Sequence, residues 1–196
     1  MGNVLVSMVG ALPPLKGNAY YCMNLAREMS KKVYVDFIAF RKLYPEFLYP
    51  GGTNEEDEKF RISETSSLSI RRIITYYNPI SWIQAGMAAR ANVVHIQWWS
   101  IPIAPIYLLL LVVLKMRGKK IIFTVHNVVP HESSPLDKIL TKAVLSFGDR
   151  YIVHSNINRN NLIHNFGLLE HAVHQVYMPI HDMYDNQVRD IKNVRE

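Results

Sequence analysis

Short runs of β-branched and aromatic residues alternate with segments of helical spacing along almost the whole chain, and this alternation constrains the fold more than any other feature. Residues 3–9 (NVLVSMV), 33–40, 93–97, 120–125, 150–154 and 173–178 read as strands. After the first of these, Ala19, Cys22, Met23, Leu25, Ala26 and Met29 fall on one helical face. Further helices are expected over about 70–77, 79–90, 103–116, 135–147 and 156–166. Ser134 suits the N-cap of the helix at 135–147, with Pro135 at its first position and Asp137 in its first turn. Gly167 suits the stop after 156–166. A strand, a glycine-containing loop, a helix and a strand make one right-handed βαβ unit. Repeated over six strands, the pattern predicts an α/β, Rossmann-like, doubly wound and mostly parallel sheet with helices on both faces.

A length of 196 residues suits one domain. Residues 1–181 are expected to form it, with 182–196 as a linker or helix in which Val188, Ile191 and Val194 recur every three positions. With 19% charged and 11% aromatic residues, wholesale disorder is excluded. The single Cys22 excludes a disulfide framework and a cysteine-based zinc site, and fits a reducing compartment. Residues 1–6 lack the basic region and cleavage site of a signal peptide, so a cytoplasmic protein is expected. The net charge of +6 favours anionic partners, including phosphates or an acidic membrane surface. No RNA-binding signature or zinc-finger spacing accompanies it, and nucleic acid is not an expected partner.

Two stretches stand apart from the alternation. Residues 44–67 hold Pro45, Pro50, Gly51, Gly52 and an acidic run at 55–58, and read as a long, mobile surface loop. Residues 92–114 contain no Asp, Glu, Lys or Arg. Pro102 and Pro105 shorten any helix there below the ~20 residues a membrane span needs, so a core helix is expected.

An open parallel sheet binds ligands beyond the carboxyl ends of its strands. After the first strand, Lys16, Gly17 and Asn18 open a helix, where free N–H groups favour an anion or remain an ordinary turn. The loop is neither G-x-G-x-x-G nor a P-loop. After the strand at Val93 come Gln97, Trp98 and Trp99; of two adjacent tryptophans, one can pack inward while the other lines a cleft as a platform for a sugar ring. His95, inside that strand, reads as a hydrogen-bonded core histidine. His126 and Asn127 leave the top of the next strand, in place to meet a substrate or to serve structure. Ser155 follows His154, and helix capping explains it most simply. The histidine spacings match no common zinc motif, so no metal is expected. Cys22 on its apolar stripe is a core residue, and no G-x-S-x-G supports a serine hydrolase.

In order, Lys16-Gly17-Asn18, Val94-His95-Ile96-Gln97-Trp98, Thr124-Val125-His126-Asn127, Ile152-Val153-His154-Ser155 and Met178-Pro179-Ile180-His181 resemble the N-terminal domain of a family 4 glycosyltransferase with the GT-B fold. The resemblance covers nearly the whole chain and makes the fold one half of a GT-B enzyme. It implies the acceptor-binding domain of a retaining glycosyltransferase of hexosyltransferase type, which transfers a sugar from a nucleotide-sugar to a saccharide or lipid-linked acceptor. It implies no cofactor, because the nucleotide-sugar is a co-substrate bound mainly by a C-terminal donor domain or partner subunit, without which this domain is expected to be inactive. It also implies that Gly17 and Asn18 lie beside acceptor or donor phosphates, and that His126 faces the transferred sugar and positions it. Lys16, Gln97, Trp98, Asn127 and Ser155 complete the expected substrate-binding set. Members of the family often dock on membranes through this domain, which would place the protein on the inner face of the membrane. The sequence departs from the family in carrying Gly17-Asn18 where a Gly-Gly pair is usual, in Pro13-Pro14, and in lacking the paired glutamates of the donor site. The alternative reading is a non-enzymatic module that binds a sugar, a glycolipid or a protein.

Overall fold

The computed structural model describes residues 4–15, 18–45, 62–128 and 134–178. Seven strands form one sheet: β1 (Leu5–Gly10), β2 (Tyr34–Lys42), β3 (Leu68–Thr75), β4 (Val93–Trp98), β5 (Lys120–Val125), β6 (Arg150–Val153) and β7 (Val173–Gln175). Every neighbouring pair is parallel, in the order β3-β2-β1-β4-β5-β6-β7. Among the described residues, five helices lie between them: α1 (Ala19–Ser30), α2 (Pro79–Ala88), α3 (Ala104–Met116), α4 (Pro135–Leu145) and α5 (Asn156–His164). The chain winds outward from β1 through β2 to β3, then crosses back to β4 and winds the other way. The order therefore reverses between β1 and β4, the place where a doubly wound sheet opens a crevice at its carboxyl edge.

Successive strand residues point to opposite faces. Met8, Val35 and Phe37 pack with Cys22, Met23 and Ala26 of α1. Their neighbours Val9 and Ile38 join the other face, where α2 to α5 contribute Ala85, Leu110, Val144 and Leu162 against Val94, Ile96, Phe123 and Val153. Both faces thus carry helices, as the alternation predicts. The same patterning makes α3 a core helix, and among the described residues no helix is long and apolar enough to cross a membrane.

One element is corrected. The helix expected over 70–77 is strand β3, paired with β2 at the sheet edge. Its sequence LSIRRIIT is a short apolar run whose spacing suits either structure, and the unpaired edge of β2 decides for a strand. The sheet accordingly has one more strand than the six expected. Of the predicted loop at 44–67, residues 46–61 lie outside the described residues, as do His181 and the segment 182–196.

The far end of the sheet is tied by a buried carboxylate. Asp36, 2% exposed, accepts from Ser7 Oγ at 3.0 Å, from Arg71 Nη2 at 2.5 Å and from the Arg90 backbone N–H at 3.2 Å. Arg71 also donates to the Ala88 carbonyl, so β1, β2, β3 and the end of α2 meet at one ion pair. Position 36 sits near the amino end of β2, away from the crevice, and the cluster is structural.

Candidate functional site

Beyond the carboxyl ends of β1, β4 and β5, the α1 face of the sheet turns polar. His95, Gln97 and Thr124 alternate with the core residues Val94, Ile96, Phe123 and Val125, so they share this face. Gln97 bridges two histidines: its Oε1 lies 3.0 Å from His126 Nε2 and its Nε2 lies 3.3 Å from His95 Nε2. An amide oxygen only accepts and an amide nitrogen only donates. His126 therefore carries its proton on Nε2, which leaves Nδ1 as an acceptor, and His95 Nε2 is itself an acceptor. The Thr124 hydroxyl donates to that same His95 nitrogen at 2.7 Å, and Tyr21 of α1 hydrogen bonds Thr124 in turn.

Burial pushes His126 down to about 4, helped by the neighbouring His154 and His95. Burial alone holds His95 at about 4, and burial, helped by Cys22 and offset in part by the Thr124 hydrogen bond, pushes the Tyr21 phenol up to about 12. The cluster is neutral at pH 7, and His126 suits hydrogen bonding to an uncharged group rather than proton transfer. The Tyr21 ring meets His126 edge-on at 4.6 Å and His154 at 5.3 Å. His154 donates from Nδ1 to the Val176 carbonyl at 2.9 Å, and its buried Nε2 has no partner. Gly10 lets this assembly close: a Cβ there would meet Cys22 Sγ and Gln97 Cγ at 3.1 Å each. Cys22 is buried in the core, as its apolar stripe predicts, and its thiol is pushed well up by burial.

Asn18 stands at the N-cap of α1 yet makes no side-chain capping bond, and both its amide oxygen and nitrogen are buried without a partner. Lys16 and Gly17 lie outside the described residues. Trp98 is the last residue of β4 and packs inward, 1% exposed, while Trp99 is half-buried. The aromatic surface open to a sugar is therefore that of Trp99. Asn127 is exposed and donates to the Trp99 carbonyl at 3.2 Å. Ser155 Oγ accepts from the Asn158 backbone N–H at 3.1 Å, which makes it the N-cap of α5.

Trp98, Trp99, Asn127 and Ser155 also border a cavity of about 980 Å³, bounded by the 3-10 turn Ile101–Ile103 and the first turns of α4 and α5. The expected residues thus divide into two groups. Gln97 and His126 belong to the neutral network, whereas Asn127 and Ser155 border the cavity. Sequence reading missed Tyr21 and His154 as partners of His126, because no spacing along the chain links α1, β5 and β6. Among the described residues, no group of three or more His, Cys, Asp or Glu side chains converges as metal ligands would.

A doubly wound parallel sheet with its polar groups and cavity at the carboxyl edge defines a Rossmann-like domain of the GT-B type. The model of Glycosyltransferase Family 4 matches residues 16–182, and the chain belongs to that family. No curated protein matches it. Among solved structures it is similar to UDP-N-acetylglucosamine 2-epimerase from Rickettsia bellii, with a TM-score of 0.65, 14% identity, and 98% of this chain covered against 50% of that one. It is also similar to a glycosyltransferase from Rickettsia africae, with a TM-score of 0.57, 12% identity, and coverage of 96% and 46%. Anabaena HepE in complex with UDP gives a TM-score of 0.56, 9% identity, and coverage of 95% and 49%. At these identities the likeness is one of fold. The chain spans about half the length of each of these structures.

Proposed function

We propose that this chain is the acceptor-binding domain of a retaining hexosyltransferase, which moves a sugar from a nucleotide-sugar to a saccharide or lipid-linked acceptor. The observation that carries the reading is the family match over residues 16–182 on a fold that spans about half the length of its neighbours. A second domain, or a partner subunit, supplies the groups that hold the nucleotide diphosphate, and this half alone is inactive. No cofactor or metal takes part. In the transfer, the acceptor hydroxyl oxygen bonds to the anomeric carbon as the bond to the diphosphate breaks, and the hydroxyl proton leaves on the departing diphosphate. His126, neutral and held by Gln97, hydrogen bonds the sugar from the acceptor side and positions it. The unpartnered Asn18 amide supports a polar ligand at the crevice, since a buried amide without a partner costs about 1–3 kcal/mol.

Docking on the cytoplasmic face of an anionic membrane belongs to the same reading. Ile80, Ile83 and Met87 on α2 and Val112 and Met116 on α3 are exposed, and residues 65–131 contain Lys and Arg but no Asp or Glu. The deciding experiment is a transfer assay with the intact protein, reading the anomeric configuration of the product by NMR. Retention, with turnover reduced about a hundredfold by His126→Ala, is the expected result. Near-normal turnover and unchanged acceptor affinity in that variant would remove His126 from its role. Sugar binding without transfer by the intact protein would make it a binding module instead.

A further inference from the structure

The cavity of about 980 Å³ beside His126 has two unlike walls. On α5, Asn158 and Asn161 lie one turn apart and present amides. Leu136 and Leu140 of α4, also one turn apart, line the same cavity with aliphatic surface, and Trp99 adds an aromatic face. The amide wall is tied to the reacting end of the site, because Asn158 Nδ2 donates to the His126 carbonyl at 3.3 Å.

The charge of the lining selects the ligand. Among the described residues it contains no Lys or Arg, and the single ionisable side chain there is Asp137. Both flanking helix N-termini are already capped, α4 by a Ser134–Asp137 capping box and α5 by Ser155. An anion entering here would face the Asp137 carboxylate, with no cation in the lining and with capped helix ends. An uncharged molecule with hydroxyls on one side and hydrocarbon on the other matches both walls.

We propose that this cavity is the acceptor subsite and that it takes an uncharged glycoside with an apolar aglycone, rather than a sugar or lipid phosphate. The inference rests on the acceptor-domain reading above. The sugar ring lies on Trp99 with its hydroxyls toward the asparagines, and the aglycone runs along Leu136 and Leu140 toward Ile157 at the mouth. Leu136 and Ile157 are 61% and 73% exposed, so both can be changed with little effect on the core.

The test is calorimetric titration of this chain with methyl, hexyl and octyl glucoside below their micelle concentrations, and with octyl phosphate. Each buried methylene strengthens binding roughly fourfold at most. Octyl glucoside is expected to bind at least about tenfold tighter than methyl glucoside, and octyl phosphate more weakly than either alkyl glucoside of six or more carbons. The double variant Leu136→Glu/Ile157→Glu should abolish the chain-length dependence while leaving the thermal unfolding midpoint in place. Asn158→Leu should weaken the glucosides but not the dependence on chain length. Preference for octyl phosphate, or a chain-length series unchanged in the double variant, would overturn the assignment. Because the titration needs no donor, it can succeed where the transfer assay fails, and the two failures are distinguishable.

Discussion

At the scale of single residues, Gln97 does the joining. Its one amide holds His126 by the oxygen and His95 by the nitrogen, which sets the tautomer of both. Gln97→Leu would leave the His126 Nε2–H without its acceptor, while Thr124 still holds His95, and is expected to lower stability by about 1–3 kcal/mol in urea unfolding. On the proposed function, turnover of the intact protein should fall as well, since His126 would lose its orientation. The same histidines set a pH dependence. Their folded pKa values of about 4 lie below the unfolded value of about 6.5, so the unfolded chain binds more protons between these limits. The stability they contribute is complete above pH 6.5 and is lost as pH falls toward 4. Urea midpoints taken from pH 7.5 to 4.5 should decline across that window, and a flat profile would mean that neither histidine is depressed. His126 was legible in the sequence as a polar residue leaving a buried strand. Its partners Tyr21 and His154 were not, because only the tertiary fold brings α1 and the end of β6 to it.

At the scale of elements, local chemistry fixed the ends of helices well. Ser134 caps α4 with Pro135 at its first position, as their types suggest, and Asp137 closes a capping box with Ser134. Ser134→Ala is expected to cost about 1 kcal/mol, measured by thermal or urea unfolding. Gly167 takes a φ of +71° shortly after α5, the left-handed conformation for which glycine carries no penalty. Strand β3 is the opposite case. Its residues support a helix or a strand about equally, and its identity comes from hydrogen bonds to β2 and from Arg71 reaching Asp36. Asp36→Ala would leave the partly exposed Arg71 with only the Ala88 carbonyl and remove the acceptor for Ser7 and the Arg90 N–H, and a loss of about 1–3 kcal/mol is expected. Asp36→Asn should recover part of it, because an amide still accepts from Ser7 and the Arg90 N–H.

At the scale of the whole molecule, the reversal of winding between β1 and β4 sets where chemistry can occur. Loops after β1, β4, β5 and β6 all open on one edge, which gathers Asn18, Gln97, His126 and Ser155 from distant parts of the chain. The outer faces of α2 and α3 stay apolar under an acid-free stretch of sequence. Cosedimentation with phosphatidylglycerol vesicles should therefore be retained by the native chain and lost in Ile83→Glu/Met87→Glu, while neutral vesicles bind neither. Equal sedimentation of both proteins with anionic vesicles would exclude α2 from docking.

The sequence by itself determined the α/β class, the parallel sheet, the core faces of its helices and the post-strand positions where polar side chains gather. Each of these follows from periodicity and from local backbone preference, which act within a few residues. The tertiary structure decided the seventh strand, the neutral histidine network, the inward turn of Trp98 and the two-walled cavity. Those depend on contacts between residues far apart in the chain, whose hydrogen bonds and burial exist only once the sheet has closed.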